Sequence, residues 1–193
     1  MTPTPHTAAP PGERASSRAV EHGPSGSPDG PGGGGAPRNT PLFDVSHVDL
    51  AARAVTREGL ESYIPHRGVM MQLDGVVWHS EDFTQGVGIR HVRPDEFWCA
   101  GHIPGRPIMP GVLMIETGAQ LASFLYFSRM DHRKFAGFVR IEDFSFRDTV
   151  VPGDDLILLS QEVKFSSRRF IADVQGMVRG KVVFGGRVTG MIF

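Results

Sequence analysis

The chain has 193 residues, 40% of them hydrophobic, and a formal net charge of -1. That suffices for one sizeable core, and the balanced charge gives no electrostatic footing for wholesale nucleic-acid binding. Cys99 is the single cysteine, which excludes an intrachain disulfide framework or a multi-cysteine metal site and makes a reducing cytoplasm the simplest compartment.

No run approaches the roughly 18 apolar residues that cross a bilayer, and no apolar signal segment opens the chain. Residues 1–40 are Pro, Gly, Ser, Ala and Thr with hardly a large apolar side chain. Such a segment cannot bury enough surface to offset its ordering entropy, so it is expected to be a disordered leader before a domain at 41–193. The glycines Gly32 to Gly35 are no phosphate loop, since no Lys-Ser or Lys-Thr follows them. A transit peptide is disfavoured by Glu13, Glu21 and Asp29.

Next, "DVSHVDLAARAV" from Asp44 predicts a short amphipathic helix with Ser46 as its N-cap. "VMMQLDGVVWHS" from Val69 and "TQGVGIRHV" from Thr84 predict two strands. The only long helix candidate lies between Gly101 and Arg129. Beyond it, "FAGFVRIEDFSF", "DLILLSQEVKFSS", "RRFIADVQGMV" and "KVVFGGRVTGMIF" predict four strands, punctuated by "VPGD", "SSRR" and "RGK". Strands joined by tight turns imply an α+β fold with an antiparallel sheet. The helix carries Val112, Leu113, Met114, Ile115, Leu121, Phe124, Leu125, Tyr126 and Phe127 on every face, so a sheet curled around it is expected.

The loop into that helix holds the chemistry. Pro104, Pro107 and Pro110 keep the path from His102 to Met109 extended, and Pro110 then starts the helix. Gly111 leaves a backbone N–H bare at the positive end of the helix, suited to polarising a carbonyl oxygen. Glu116 follows on the helix, and Gln120 lies one turn later on the same face, able to hold the carboxyl group. A carboxyl in apolar surroundings is expected to have a raised pKa and to act as an acid, with His102 as the complementary base. Either residue alone is more often structural; the set with the helix terminus points to catalysis. The eight histidines show no HxH or HExxH spacing, a GxSxG elbow is absent, and Cys99 beside Phe97 and Trp98 reads as a structural thiol.

"GHIPGRPIMPGVLMIETGAQ" resembles the signature of the β-hydroxyacyl-acyl carrier protein dehydratases of the FabZ type. "IPHRGVMMQLD", "RHVRPDEFWCAGH" and "VPGD" extend the resemblance in register from about residue 60 to the C-terminus. The resemblance implies a hot-dog fold, a long central helix wrapped by a curved antiparallel sheet, and a homodimer, often a trimer of dimers. His102 of one subunit would face Glu116 of the other, with no cofactor or metal. His102 would take the C2 proton of a 3-hydroxyacyl thioester, Glu116 would assist loss of the hydroxyl, and the Gly111 N–H would hold the thioester oxygen. Glutamate fourteen positions after His102 points to the dehydratase-only branch over the dehydratase-isomerase branch.

Gly68, Val69, Ile103 and Gly118 depart from the usual pattern and could alter the acyl tunnel. Acyl carrier protein is acidic, and Arg106, Arg133, Lys134, Arg168 and Arg169 are candidate contacts. Fatty acid biosynthesis is the default pathway, with a specialised lipid or polyketide pathway open. A hot-dog thioesterase and a non-catalytic acyl-carrier-binding scaffold subunit are the alternatives.

Overall fold

The computed structural model describes residues 39–130 and 135–193. The leader up to residue 38, with Arg133 and Lys134, lies outside the described residues. The strands are β1 (Val55–Thr56), β2 (Gly75–His79), β3 (Gln85–His91), β4 (Ala136–Phe146), β5 (Asp155–Phe165), β6 (Arg169–Val178) and β7 (Lys181–Ile192). The helices are α1 (Arg57–Leu60) and α2 (Gly111–Phe127), with a single 3₁₀ turn at Gly68–Met70. All seven strands join one sheet in the order β1-β2-β3-β5-β6-β7-β4, antiparallel at every pairing. This is the α+β hot-dog arrangement expected above.

The helix predicted from Asp44 to Val55 is not there. The Asp44 carboxylate accepts the Ser46 N–H at 2.9 Å and the Asp49 carboxylate accepts the Ala51 N–H at 2.9 Å. These local bonds turn the backbone twice and compete with helix formation. Phe43, Val45 and Val48 instead cover Val77, Val87 and Ile89 on the sheet face turned away from α2. Gln175 fastens the start of this strap, donating to Thr40 O at 3.1 Å and accepting the Leu42 N–H at 2.9 Å. The short helix that does form, α1, is capped by Thr56, whose hydroxyl accepts the Gly59 N–H at 3.1 Å.

Helix α2 packs against β3, β5, β6 and β7. Met114, Leu121, Phe124 and Leu125 enter one cluster with Leu73, Val76, Leu156, Leu158 and Phe184. Ala119, Ala122, Tyr126 and Phe127 enter a second with Phe170, Ala172, Val174 and Val188. Each fully buried phenylalanine here contributes about 2–3 kcal/mol relative to exposure. Enclosure is incomplete, however: Val112 in the first turn is 71% exposed. At Gly118 an added Cβ would meet Val174 Cβ at 3.1 Å; its bareness brings α2 close to β6.

Strand β4 forms one edge of the sheet. Its pairing with β7 is interrupted by register shifts at Phe138/Arg140 and Glu142/Ser145, bulges of the kind found at sheet edges. Phe138, Val139, Ile141 and Phe146 are exposed along it.

Candidate active site

The His102 loop is clamped at both ends by residues 150–154, the "VPGD" turn and the valine before it. The Val92 N–H donates to Asp154 O at 3.0 Å, and the Gly153 N–H returns to Val92 O at 2.8 Å. At the far end the Met109 N–H donates to Val150 O at 2.8 Å. Between the clamps Trp98 and Met109 enter the core, and Trp98 O accepts the amides of Gly101 and His102 at 3.1 and 2.7 Å. Buried apolar anchors thus hold an exposed, proline-rich loop in place.

His102 is exposed on this loop. Its Nδ1 lies 2.8 Å from Ile108 O. A carbonyl can only accept, so Nδ1 carries the proton and the Nε2 lone pair is left for a substrate. The Ile108 N–H also donates to His102 O at 3.0 Å, which fixes the backbone at the same pair of residues.

Glu116 is half-buried on α2 and held by its Oε1 atom. Gln120 Nε2 donates to Oε1 at 2.7 Å and His66 Nε2 lies 3.1 Å from the same oxygen. Gln120 is itself locked. Its amide group also donates to Met70 O at 2.7 Å and its Oε1 accepts the Gln72 N–H at 2.8 Å. The planar amide of Gln120 is thus held at three points and cannot turn away from Glu116.

The expected upward shift of the Glu116 pKa is not found. Burial pushes it up, but the hydrogen bonds from His66 and Gln120, and the charge of His66, together hold the carboxyl below its ordinary value. Sequence reasoning missed His66, although it lies in the quoted "IPHR" segment; only the fold carries that segment to α2. Its Nδ1 is buried with no partner among the described residues, which leaves the ring dedicated to Glu116.

A pocket of about 190 Å³ opens beside Glu116, lined by His66, Gln120, Ser123, Phe138 and Phe170 among others. His102 is not among its lining residues. Gly111 opens α2 after Pro110, and a Cβ there would meet the Phe146 ring at 2.8 Å. The Phe146 ring thus stands where a side chain at position 111 would be, so glycine is the residue that fits there.

Arg106 closes the tight turn of the His102 loop, exchanging backbone hydrogen bonds with Ile103 at 2.9 and 3.3 Å. Arg168 in the β5–β6 turn and Arg169 at the start of β6 are exposed. Cys99 is partly buried against the core, its thiol 3.7 Å from Arg93 O. Among the described residues no group of three or more His, Cys, Asp or Glu side chains could hold a metal ion, and no helix is long and apolar enough to cross a membrane.

The FabA-like domain family matches residues 64–187, a span that contains the His102 loop, α2 and the strands from β2 to most of β7. The chain belongs to the FabA-like family. This FabA-like chain is 33% identical over 133 residues to a protein of Streptococcus pneumoniae (strain Hungary19A-6) described as "3-hydroxyacyl-[acyl-carrier-protein] dehydratase FabZ", covering 68% of this chain and 94% of that one. The same identity and coverage hold for the protein of that description in Streptococcus pneumoniae serotype 19F (strain G54). Among solved structures, the dehydratase heterocomplex ApeI:P from Xenorhabdus doucetiae superposes with a TM-score of 0.60 at 16% identity, over 69% of this chain and 90% of that one. That likeness shares the hot-dog fold with this FabA-like chain.

Proposed function

We propose that the chain catalyses dehydration of 3-hydroxyacyl thioesters, carried on acyl carrier protein, to trans-2-enoyl thioesters in fatty acid biosynthesis. The observation that carries this reading is the match over 94% of a FabZ dehydratase, in a chain whose His102 and Glu116 each have one end tied and one end free. His102 Nε2 accepts the C2 proton as the C2–H bond breaks. The Gly111 N–H, at the positive end of α2, holds the thioester oxygen as enolate character develops there.

His66 and Gln120 occupy Glu116 Oε1, so Oε2 is the atom left for the substrate. A carboxylate held ionised accepts a hydrogen bond from the 3-hydroxyl group and aligns the C3–O bond. The proton taken by His102 is delivered to that oxygen as C3–O breaks, so one water leaves and His102 returns to its starting state.

His102 and the Glu116 pocket do not share a lining in one subunit, and β4 offers an exposed apolar edge. Both features support a homodimer in which His102 of one subunit serves Glu116 of the other, with trimers of dimers as a further assembly. Arg106, Arg168 and Arg169, exposed on the His102 loop and at the β5–β6 turn into β6, suit contact with an acidic carrier protein. Residues 41–193 would form the catalytic domain, working in the cytoplasm, with 1–40 as its leader.

An ionised Glu116 could also activate water, which favours a thioesterase as the second reading. One assay separates the two. The protein is incubated with 3-hydroxyacyl and 2-enoyl thioesters of acyl carrier protein, following enoyl absorbance and free thiol together. Reversible enoyl formation without thiol is the expected result; thiol release without enoyl would replace dehydration by hydrolysis, and binding without turnover would indicate a scaffold.

A further inference from the structure

Arg90 is 3% exposed, inside β3, in a part of the molecule where packing alone would be served by an aliphatic side chain. Burial pushes its guanidinium below the ordinary value, with the charges of Glu96 and Asp74 opposing. Taking such a pair out of water costs several kcal/mol per ion, so a buried ion pair is a weak device for stability and a better one for fixing register. What this one joins is specific.

Arg90 Nη2 donates to Glu96 Oε2 at 2.6 Å. Glu96 sits in the loop that carries His102: its other oxygen accepts the Arg93 N–H at 3.3 Å, and its carbonyl accepts the Cys99 N–H at 2.9 Å. Trp98, between Glu96 and His102, accepts the His102 amide at 2.7 Å. The other arm of Arg90, Nη1, reaches to 3.5 Å of Met71 O. Met71 is flanked by Met70 and Gln72, the two residues whose backbone groups lock Gln120, and Gln120 holds Glu116. One rigid guanidinium fork thus touches both the segment that places His102 and the segment that places Glu116.

We propose that Arg90, with Glu96, is a positioning residue that sets the His102 loop and the Glu116 anchor in register with one another. The proposal rests on the reading of His102 and Glu116 as the groups that meet the substrate. In a dimer with shared sites, Arg90 of a single subunit would place His102 for one site and Glu116 for the other.

The test compares wild type, Arg90→Lys, and the double variant Arg90→Met with Glu96→Met, by steady-state dehydration and thermal unfolding of the full chain. The double variant removes both charges and leaves neither buried alone, so its melting temperature is expected to stay close to wild type. Its kcat should fall by about tenfold to a hundredfold, the cost of misplacing reacting groups by about an ångström, with KM little changed. Arg90→Lys keeps the charge and loses the fork, and should lie between the two.

A folded double variant with wild-type kcat, or with a loss confined to KM, would overturn the proposal. Should the double variant fail to fold, Arg90→Lys decides: undiminished kcat overturns it and reduced kcat at unchanged KM supports it. Absence of dehydration by wild type is read in the first measurement and removes the underlying reading together with the proposal.

Discussion

His102 is exposed on its loop, and a side chain outside the core can be replaced with little effect on the packing beneath it. His102→Ala is therefore expected to cost at least about a hundredfold in turnover, in line with a lost general base, at an unchanged melting temperature. Glu116→Gln should cost a similar factor. Glu116 also carries a pH signature, because its carboxyl is held below its ordinary value by His66 and Gln120 against the effect of burial. A group depressed on folding stabilises the protein above its unfolded pKa and loses that contribution as the pH falls through the folded one. Urea unfolding of wild type and Glu116→Gln should then show a stability gap at neutral pH that closes in acid. His66→Phe removes one donor to Oε1, and the acidic limb of the pH–rate profile should move upward; an unmoved limb would mean that His66 does not set the state of Glu116.

At the scale of elements, α2 and the strands around it are held by aromatic rings set against bare backbone. The Phe170 ring fills the space a Cβ at Gly190 would need, approaching to 2.2 Å, and both residues line the Glu116 pocket. Gly190→Ala should destabilise the chain by about 1–3 kcal/mol through overpacking, measured by urea unfolding, and Phe170→Leu in the same chain should recover part of the loss. The pattern of elements was largely legible in the residues: β5, β6 and β7 follow their apolar runs, and Pro110 and Gly111 mark the start of α2. The predicted helix from Asp44 was misread because apolar spacing does not report that Asp44 and Asp49 will bond their own neighbours' amides.

For the whole molecule, the edge strand β4 and the separation of His102 from the Glu116 pocket lead to one expectation about assembly. Mixing His102→Ala with Glu116→Gln under conditions of subunit exchange should restore activity, since hybrid dimers then contain one site with both residues intact. No recovery despite exchange seen by mass spectrometry would place each site within a single subunit. Ile141→Lys puts a charge on the exposed apolar face of β4, and sedimentation should show a smaller species with lost turnover.

Residue identity and spacing determined the family signature, the order of the strands along the chain, the proline-held loop and the set of His102, Gly111, Glu116 and Gln120, because each depends on local geometry or on residues close in sequence. What the tertiary structure decided are the contacts between distant segments. His66 comes to Glu116, Gln72 to Gln120, and the buried fork of Arg90 lies between Glu96 and Met71. Those contacts reverse the expected shift of Glu116, because a carboxyl responds to the donors around it in space, and no spacing along the chain records which donors the sheet will bring there.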